Sequence, residues 1–155
     1  MEKKDIVIRI TGTQTGEDGN EENMDFITEG TLYSRNGFFY AIYDETLITG
    51  DPSFKTTLKY SKDLLKMKRE GSDMDEYTVI EFTKGGQFHG AYQTPFGPLE
   101  MNVKTLTYEN DLDEEGMGSV DIEYAITLRS IIHVSSKVNV QIARKTADLK
   151  EPKLS

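Results

Sequence analysis

The sequence contains no cysteine and no tryptophan, only four prolines and two histidines. Without cysteine there is no disulfide, no thiolate nucleophile, and no cysteine-ligated zinc or iron–sulfur site. Apolar runs are also scarce. No stretch approaches the roughly 18 residues that a membrane-crossing helix needs, and the start, Met1-Glu2-Lys3-Lys4-Asp5, is charged where a secretory signal would be apolar. No Asn-x-Ser/Thr acceptor occurs. These absences together predict a cytoplasmic protein. Positive charge is short as well: 18 basic against 27 acidic residues leave a net charge of −9. Such a surface repels nucleic-acid backbones and anionic lipid, so neither nucleic acid nor membrane is an expected partner.

What is present is a chain of 155 residues, a size at which one core suffices, with eight tyrosines and seven phenylalanines to fill it. The strongest pattern is period two. Ile6, Ile8 and Ile10 alternate with Asp5, Val7 and Arg9, and Val120, Ile122, Tyr124, Ile126 and Leu128 alternate with mostly polar neighbours. Weaker alternation marks Phe54, Thr56, Leu58, Tyr60; Thr78, Ile80, Phe82; and Val134, Ser136, Val138, Val140, Ile142. No window reads as a strong amphipathic helix.

Turn signals fall between these runs. Asn36-Gly37, flanked by Thr31-Leu32-Tyr33 and Phe38-Phe39-Tyr40, is the sharpest, because a type I′ hairpin needs φ > 0 at both central positions. Its flanking alternation is read with Phe38, Tyr40 and Ile42 facing the core. Ser61-Lys62-Asp63, Glu70-Gly71-Ser72-Asp73, Lys84-Gly85-Gly86 and Asp113-Glu114-Glu115-Gly116 read as further hairpin turns, and Gly16 to Asn20 as a polar loop. About ten antiparallel strands result, and closure removes their edges best. The prediction is an all-β, single-domain, up-and-down antiparallel barrel over residues 1–155, with 145–155 a frayed tail.

Four segments in order resemble a known family: Phe26-Ile27-Thr28-Glu29-Gly30-Thr31-Leu32-Tyr33, Asn36-Gly37-Phe38-Phe39-Tyr40-Ala41-Ile42-Tyr43-Asp44-Glu45, Thr56-Thr57-Leu58-Lys59, and Tyr92-Gln93-Thr94-Pro95-Phe96-Gly97-Pro98-Leu99-Glu100. With the long hairpin from Val120 to Ile142 they resemble the YwiB-like family of uncharacterised bacterial proteins. That resemblance implies a calycin-like, lipocalin-like β-barrel and brings no catalytic residue with it. Architecture does not by itself fix function.

Candidate chemistry is thin. Asp111-x-Asp113-x-Glu115-Gly116 imitates the first half of a calcium loop, but position twelve is Ile122 where the bidentate carboxylate belongs, so a solvated acidic turn is expected and no metal. Gly12, Gly16 and Gly19 precede neither a Lys-Ser/Thr pair nor a helix that would cradle phosphate. Lys62, Lys66, Lys68 and Arg69 read as a solvated strand face. His89 and His133 fall on the polar parity of their strands, with no nucleophile motif nearby, so no catalytic residue and no cofactor is assigned. Thr94-Pro95-Phe96-Gly97 reads as a tight turn, with a barrel-mouth element as its rival.

There remains the aromatic content of the strands: Phe26, Tyr33, Phe38, Phe39, Tyr40, Tyr43, Phe54, Tyr60, Tyr77, Phe82, Phe88, Tyr92, Tyr108 and Tyr124. Inside a small barrel these rings either fill the lumen or shape a pocket with tyrosine hydroxyls as polar handles. The expected function is a non-catalytic binding barrel for a small apolar or amphiphilic ligand. Tyr40 and Tyr92, each close to a turn, are the expected lining residues. A structural or protein-interaction module is the alternative and an enzyme the third reading, and pairing into a homodimer is left open.

Overall fold

The computed structural model describes residues 2–45, 51–71, 77–94 and 96–146. Ten antiparallel strands form one sheet: β1 (Lys4–Thr15), β2 (Glu21–Arg35), β3 (Phe38–Glu45), β4 (Asp51–Tyr60), β5 (Leu64–Glu70), β6 (Tyr77–Thr83), β7 (Gln87–Thr94), β8 (Gly97–Asn110), β9 (Gly118–Leu128) and β10 (Ile132–Arg144). Among the described residues there is no helix, and so none long and apolar enough to cross a membrane. Their order in the sheet is β6-β5-β4-β3-β2-β1-β10-β9-β8-β7. Sequence neighbours pair everywhere except between β6 and β7, and the first strand joins the last.

The sheet curls until its two edges meet. β6 packs beside β7 and β8, yet no ladder links β6 to β7. Lys84-Gly85-Gly86 therefore turns the chain, with Gly86 N–H donating to Thr83 O at 2.8 Å, but joins two sheet edges instead of a paired hairpin. Gly86 O accepts from Thr105 N–H at 3.0 Å, tying this turn to β8 instead. The barrel is closed on nine sides by ladders, and at the tenth β6 comes up against β7 and β8 without one.

Alternation placed the core correctly on most strands. Ile6, Ile8 and Ile10, Thr56, Leu58 and Tyr60, Ile80 and Phe82, Val120, Ile122 and Tyr124, and Val140 and Ile142 are all buried. β3 is the exception. Ala41 and Tyr43 are buried and Phe39 packs on the Tyr60 ring at 5.5 Å, so Phe38, Tyr40 and Ile42 face outward. Both faces of this strand are apolar, so period two could not choose between them. The pairing does: Ala41 lies opposite Leu58 and Phe39 opposite Tyr60, both inward residues of β4.

Asn36 and Gly37 adopt φ of 54° and 84°, the pair of left-handed residues that a two-residue hairpin demands. Gly16 to Asn20 closes the β1–β2 hairpin through Gly16 N–H to Asn20 O at 3.1 Å. Ser61 N–H donates to Leu64 O at 2.8 Å at the β4–β5 turn. The turn expected at Glu70 to Asp73 lies partly outside the described residues, as does most of the expected frayed tail. Lys145 itself is held, its N–H donating to Asp5 O at 3.0 Å and its ammonium 3.0 Å from Glu29.

A Cβ at Gly37 would meet no atom within 4 Å, so its substitution costs backbone strain alone. Gly37→Val is expected to destabilise the protein by about 1–3 kcal/mol, read from the denaturant midpoint. An unchanged midpoint would show that this turn does not hold the register.

Candidate functional site

Antiparallel order gives the barrel two unlike ends. One carries the Asn36-Gly37, Ser61–Asp63 and Lys84–Gly86 turns together with the connection from Asp111 to Met117. This end is plugged. Leu112 is buried, the Tyr60 hydroxyl donates to Gly116 O at 2.7 Å, the Tyr108 hydroxyl donates to Ser61 O at 2.9 Å, and Asn110 Nδ2 donates to Lys62 O at 2.6 Å. Gly116 has φ of 83°, and a Cβ there would come within 2.6 Å of the Phe39 ring, so only glycine lets the loop sit down on the core. Burial pushes both phenols well above the ordinary tyrosine value, which keeps them protonated as donors.

The acidic turn flagged by its calcium-like spacing serves this plug. Asp111 Oδ1 accepts from Ser119 N–H at 2.6 Å and Ser119 Oγ–H at 2.9 Å, and Asp113 Oδ1 accepts from the Glu115 and Met117 amides at 2.8 and 3.0 Å. Glu115 reaches Lys4 at 3.0 Å and Arg144 at 3.3 Å. The carboxylates are thus spent on backbone amides and on the two ends of the chain. Hydrogen bonds from Ser119 hold Asp111 below the usual carboxylate range, and Lys4 followed by Arg144 does the same for Glu115.

The opposite end carries the β1–β2, β7–β8 and β9–β10 turns, and among the described residues nothing plugs it. Beneath it lies a cavity of about 500 Å³. Its wall is mostly apolar: Ile10, Met67, Ile80, Met101, Ile126, Leu128 and Val138 are among its residues. Its floor is the contact of Phe82 with Tyr124 across the interior, ring centroids 4.6 Å apart. Polar groups are few: Gln14, Tyr43, Thr56, Arg69, Tyr92 and Tyr124. Volume and composition both fall within the ordinary range for small-molecule sites, roughly 300–1,000 Å³.

Of the two residues expected to line the lumen, Tyr92 does and Tyr40 does not. Tyr92 is 44% exposed at the mouth. Tyr40 stacks on Tyr33 outside the barrel, centroids 4.9 Å apart, with the Lys59 ammonium 6.0 Å from its ring. Its outward placement follows from the β3 parity described above. Arg69, read from the sequence as part of a solvated basic face, shares the inward parity of Leu65 and Met67 and lines the cavity, its guanidinium 4.1 Å from the Phe54 ring centroid. Gln14 follows Ile6, Ile8, Ile10 and Gly12 on the inward face of β1. Extending each apolar alternation into its polar end would have found both residues.

The rim is apolar too. Phe96, between β7 and β8, is fully exposed, and Ile131 and Ile132, at the β9–β10 turn, are 69% and 49% exposed. Thr94 pairs with Gly97, so the segment around them is both a tight turn and part of the mouth; Pro95 lies outside the described residues. His89 and His133 are exposed on β7 and β10 and neither lines the cavity; His133 Nδ1 lies 3.1 Å from Thr127 Oγ1. A second hollow of about 480 Å³ lies over the outer face of β1, β9 and β10. In it Asp121 accepts from Asn139 Nδ2 at 2.7 Å and Asp25 pairs with Arg9 at 3.1 Å.

Residues 8–142, nearly the whole barrel, match the family described as Domain of unknown function (DUF1934). The chain belongs to the DUF1934 family. It is 32% identical over 109 residues to the uncharacterized β-barrel protein YwiB of Bacillus subtilis (strain 168), covering 70% of this chain and 72% of that protein. The crystal structure of the ywiB protein from Bacillus subtilis superposes with a TM-score of 0.74 at 25% identity, covering 93% of this chain and 94% of the other. The DUF1934 match spans both the plugged end and the strands around the cavity.

Two outcomes follow from the plug. Tyr60→Phe strands the buried Gly116 carbonyl and is expected to cost about 1–3 kcal/mol, read by chemical denaturation; no loss would mean that the carbonyl finds another donor. Asp111 and Glu115 have lower pKa values folded than unfolded, so their stabilisation is complete above the unfolded carboxylate range, around pH 4, and is lost as pH falls through the folded values. The stability gap between the native protein and an Asp111→Asn, Glu115→Gln variant should close on acidification below that range. A gap that persists at the lowest pH would contradict the assignment.

Proposed function

We propose that this barrel is a non-catalytic carrier that holds a small, partly apolar molecule in its open-ended lumen, in the manner of a lipocalin-like barrel. The observation that carries the reading is the cavity of about 500 Å³, unplugged at one end among the described residues, apolar over most of its wall and provided with a few hydroxyl and amide groups. A barrel built only as a scaffold gains stability by filling such a space, since an empty apolar cavity costs dispersion contacts and transfer free energy. The exposed positions of both histidines, away from the cavity, support binding without catalysis. The lack of cysteine and the acidic charge fit a cytoplasmic setting.

The apolar rim of Phe96, Ile131 and Ile132 supports a second reading, in which the open end docks on another protein. Dye binding separates the two. A polarity-sensitive dye should bind the native protein saturably and be displaced by an uncharged amphiphile. Ile126→Trp, which fills the lumen, should abolish binding while the protein still melts cooperatively. Tyr92→Ala should weaken binding with little loss of stability, and Tyr40→Ala, outside the barrel, should leave binding unchanged. If Ile126→Trp binds dye as well as the native protein, the dye is on the rim and the docking reading stands in place of the cavity.

A further inference from the structure

Four of the polar groups on the inward face stand together. Gln14 pairs with Ser136, Ser136 with Tyr124, and Tyr124 with Thr105, so four polar residues stand side by side across β1, β10, β9 and β8. Gln14 is exposed at one end of the row, whereas Ser136, Tyr124 and Thr105 are 2%, 8% and 2% exposed. Apolar residues flank the row on its two central strands: Val134 and Val138 on β10, Ile122 and Ile126 on β9.

Ser136 carries the argument further. Among the described residues, three buried side-chain oxygens lack a hydrogen-bond partner, Asn102 Oδ1, Ser136 Oγ and Gln141 Oε1. Only Ser136 has inward parity, between the cavity-lining Val134 and Val138. It pairs with Tyr124 across the β9–β10 ladder, and Ser136 and Gln14 both offset the rise that burial gives the Tyr124 phenol. A buried hydroxyl left without a partner costs free energy, and an oxygen of a bound molecule is the group that would complete it.

Resting on the cavity reading above, we propose that the ligand is an apolar molecule bearing one uncharged oxygen, a hydroxyl or carbonyl, which seats on the Ser136 and Tyr124 hydroxyls while its body fills the lumen. Both hydroxyls can donate or accept, so either oxygen type is accommodated. No charged side chain belongs to the row, and an ionised group brought there would lose its hydration uncompensated. Arg69 is the one charged residue of the wall; it stands on β5, is exposed, and already lies against the Phe54 ring, which suits the mouth better than the depth of the site.

The test uses dye displacement by three probes of similar length, 1-decanol, undecane and decanoate, on the native protein, Ser136→Ala, Tyr124→Phe and the double variant. Tyr124→Phe keeps the ring on Phe82, and Ser136→Ala removes an oxygen with no partner, so both should melt close to the native protein. If one does not fold, the other carries the comparison. The expected result is that decanol weakens about tenfold in the double variant, the worth of one hydrogen bond, while undecane is unchanged. Equal losses for decanol and undecane, or decanoate binding tightest with its affinity abolished by Arg69→Gln, would overturn the uncharged-oxygen assignment and leave the cavity reading standing. Dye that never enters the lumen would remove the cavity reading and this one with it.

Discussion

The ladder between β1 and β10 holds Ile6 to Thr15 against Ser135 to Arg144 over ten consecutive residue pairs, joining the two ends of the chain. Every other ladder in the sheet links sequence neighbours. Without this one the chain would be two separate meanders, β1 to β6 and β7 to β10, each with an apolar face in water. With it, Ile8 meets Ile142 and Ile10 meets Val140 on the inward side, and a slip of one residue would turn those side chains out. Such long-range pairing is slow to form because loop-closure entropy is lost before contacts compensate it.

The same ladder sets what the barrel can do. Gln14 and Ser136 are neighbours only because β1 and β10 pair in this register, and Tyr124 joins them through β9. The ion pairs of Lys4 and Arg144 with Glu115 tie the two chain ends to the loop that closes the plugged end. These surface pairs contribute little individually. Their part is to hold the loop where Gly116 O can accept from Tyr60.

Tyrosine serves opposite purposes at the two ends. At the plugged end Tyr60 and Tyr108 satisfy backbone carbonyls, so their hydroxyls are consumed by the protein itself. Higher in the lumen Tyr124 lies among apolar side chains, with Ser136 and Thr105 paired to it on the neighbouring strands and Gln14 next in the row. Burial raises both kinds of phenol by desolvation. What differs is the neighbour: backbone carbonyls accept from Tyr60 and Tyr108, whereas side chains of the polar row stand beside Tyr124.

The strands, most of their inward faces and the Asn36-Gly37 turn were legible in the amino-acid order, because period-two burial and left-handed turn geometry are local constraints that each segment expresses alone. Where both faces of a strand are apolar, as in β3, local pattern carried no preference, and the pairing with Leu58 and Tyr60 decided that Tyr40 faces solvent. Arg69 and Gln14 were hidden at polar ends of apolar alternations. Only the closed barrel placed them over a common cavity. The sequence by itself determined an acidic, helix-poor, antiparallel β chain without metal or thiol chemistry in any recognisable motif. Tertiary structure alone decided which end is plugged, that β6 and β7 meet without a ladder, and that Gln14, Ser136 and Tyr124, far apart in the chain, form one polar row, because those outcomes depend on inter-strand register, which no single segment encodes.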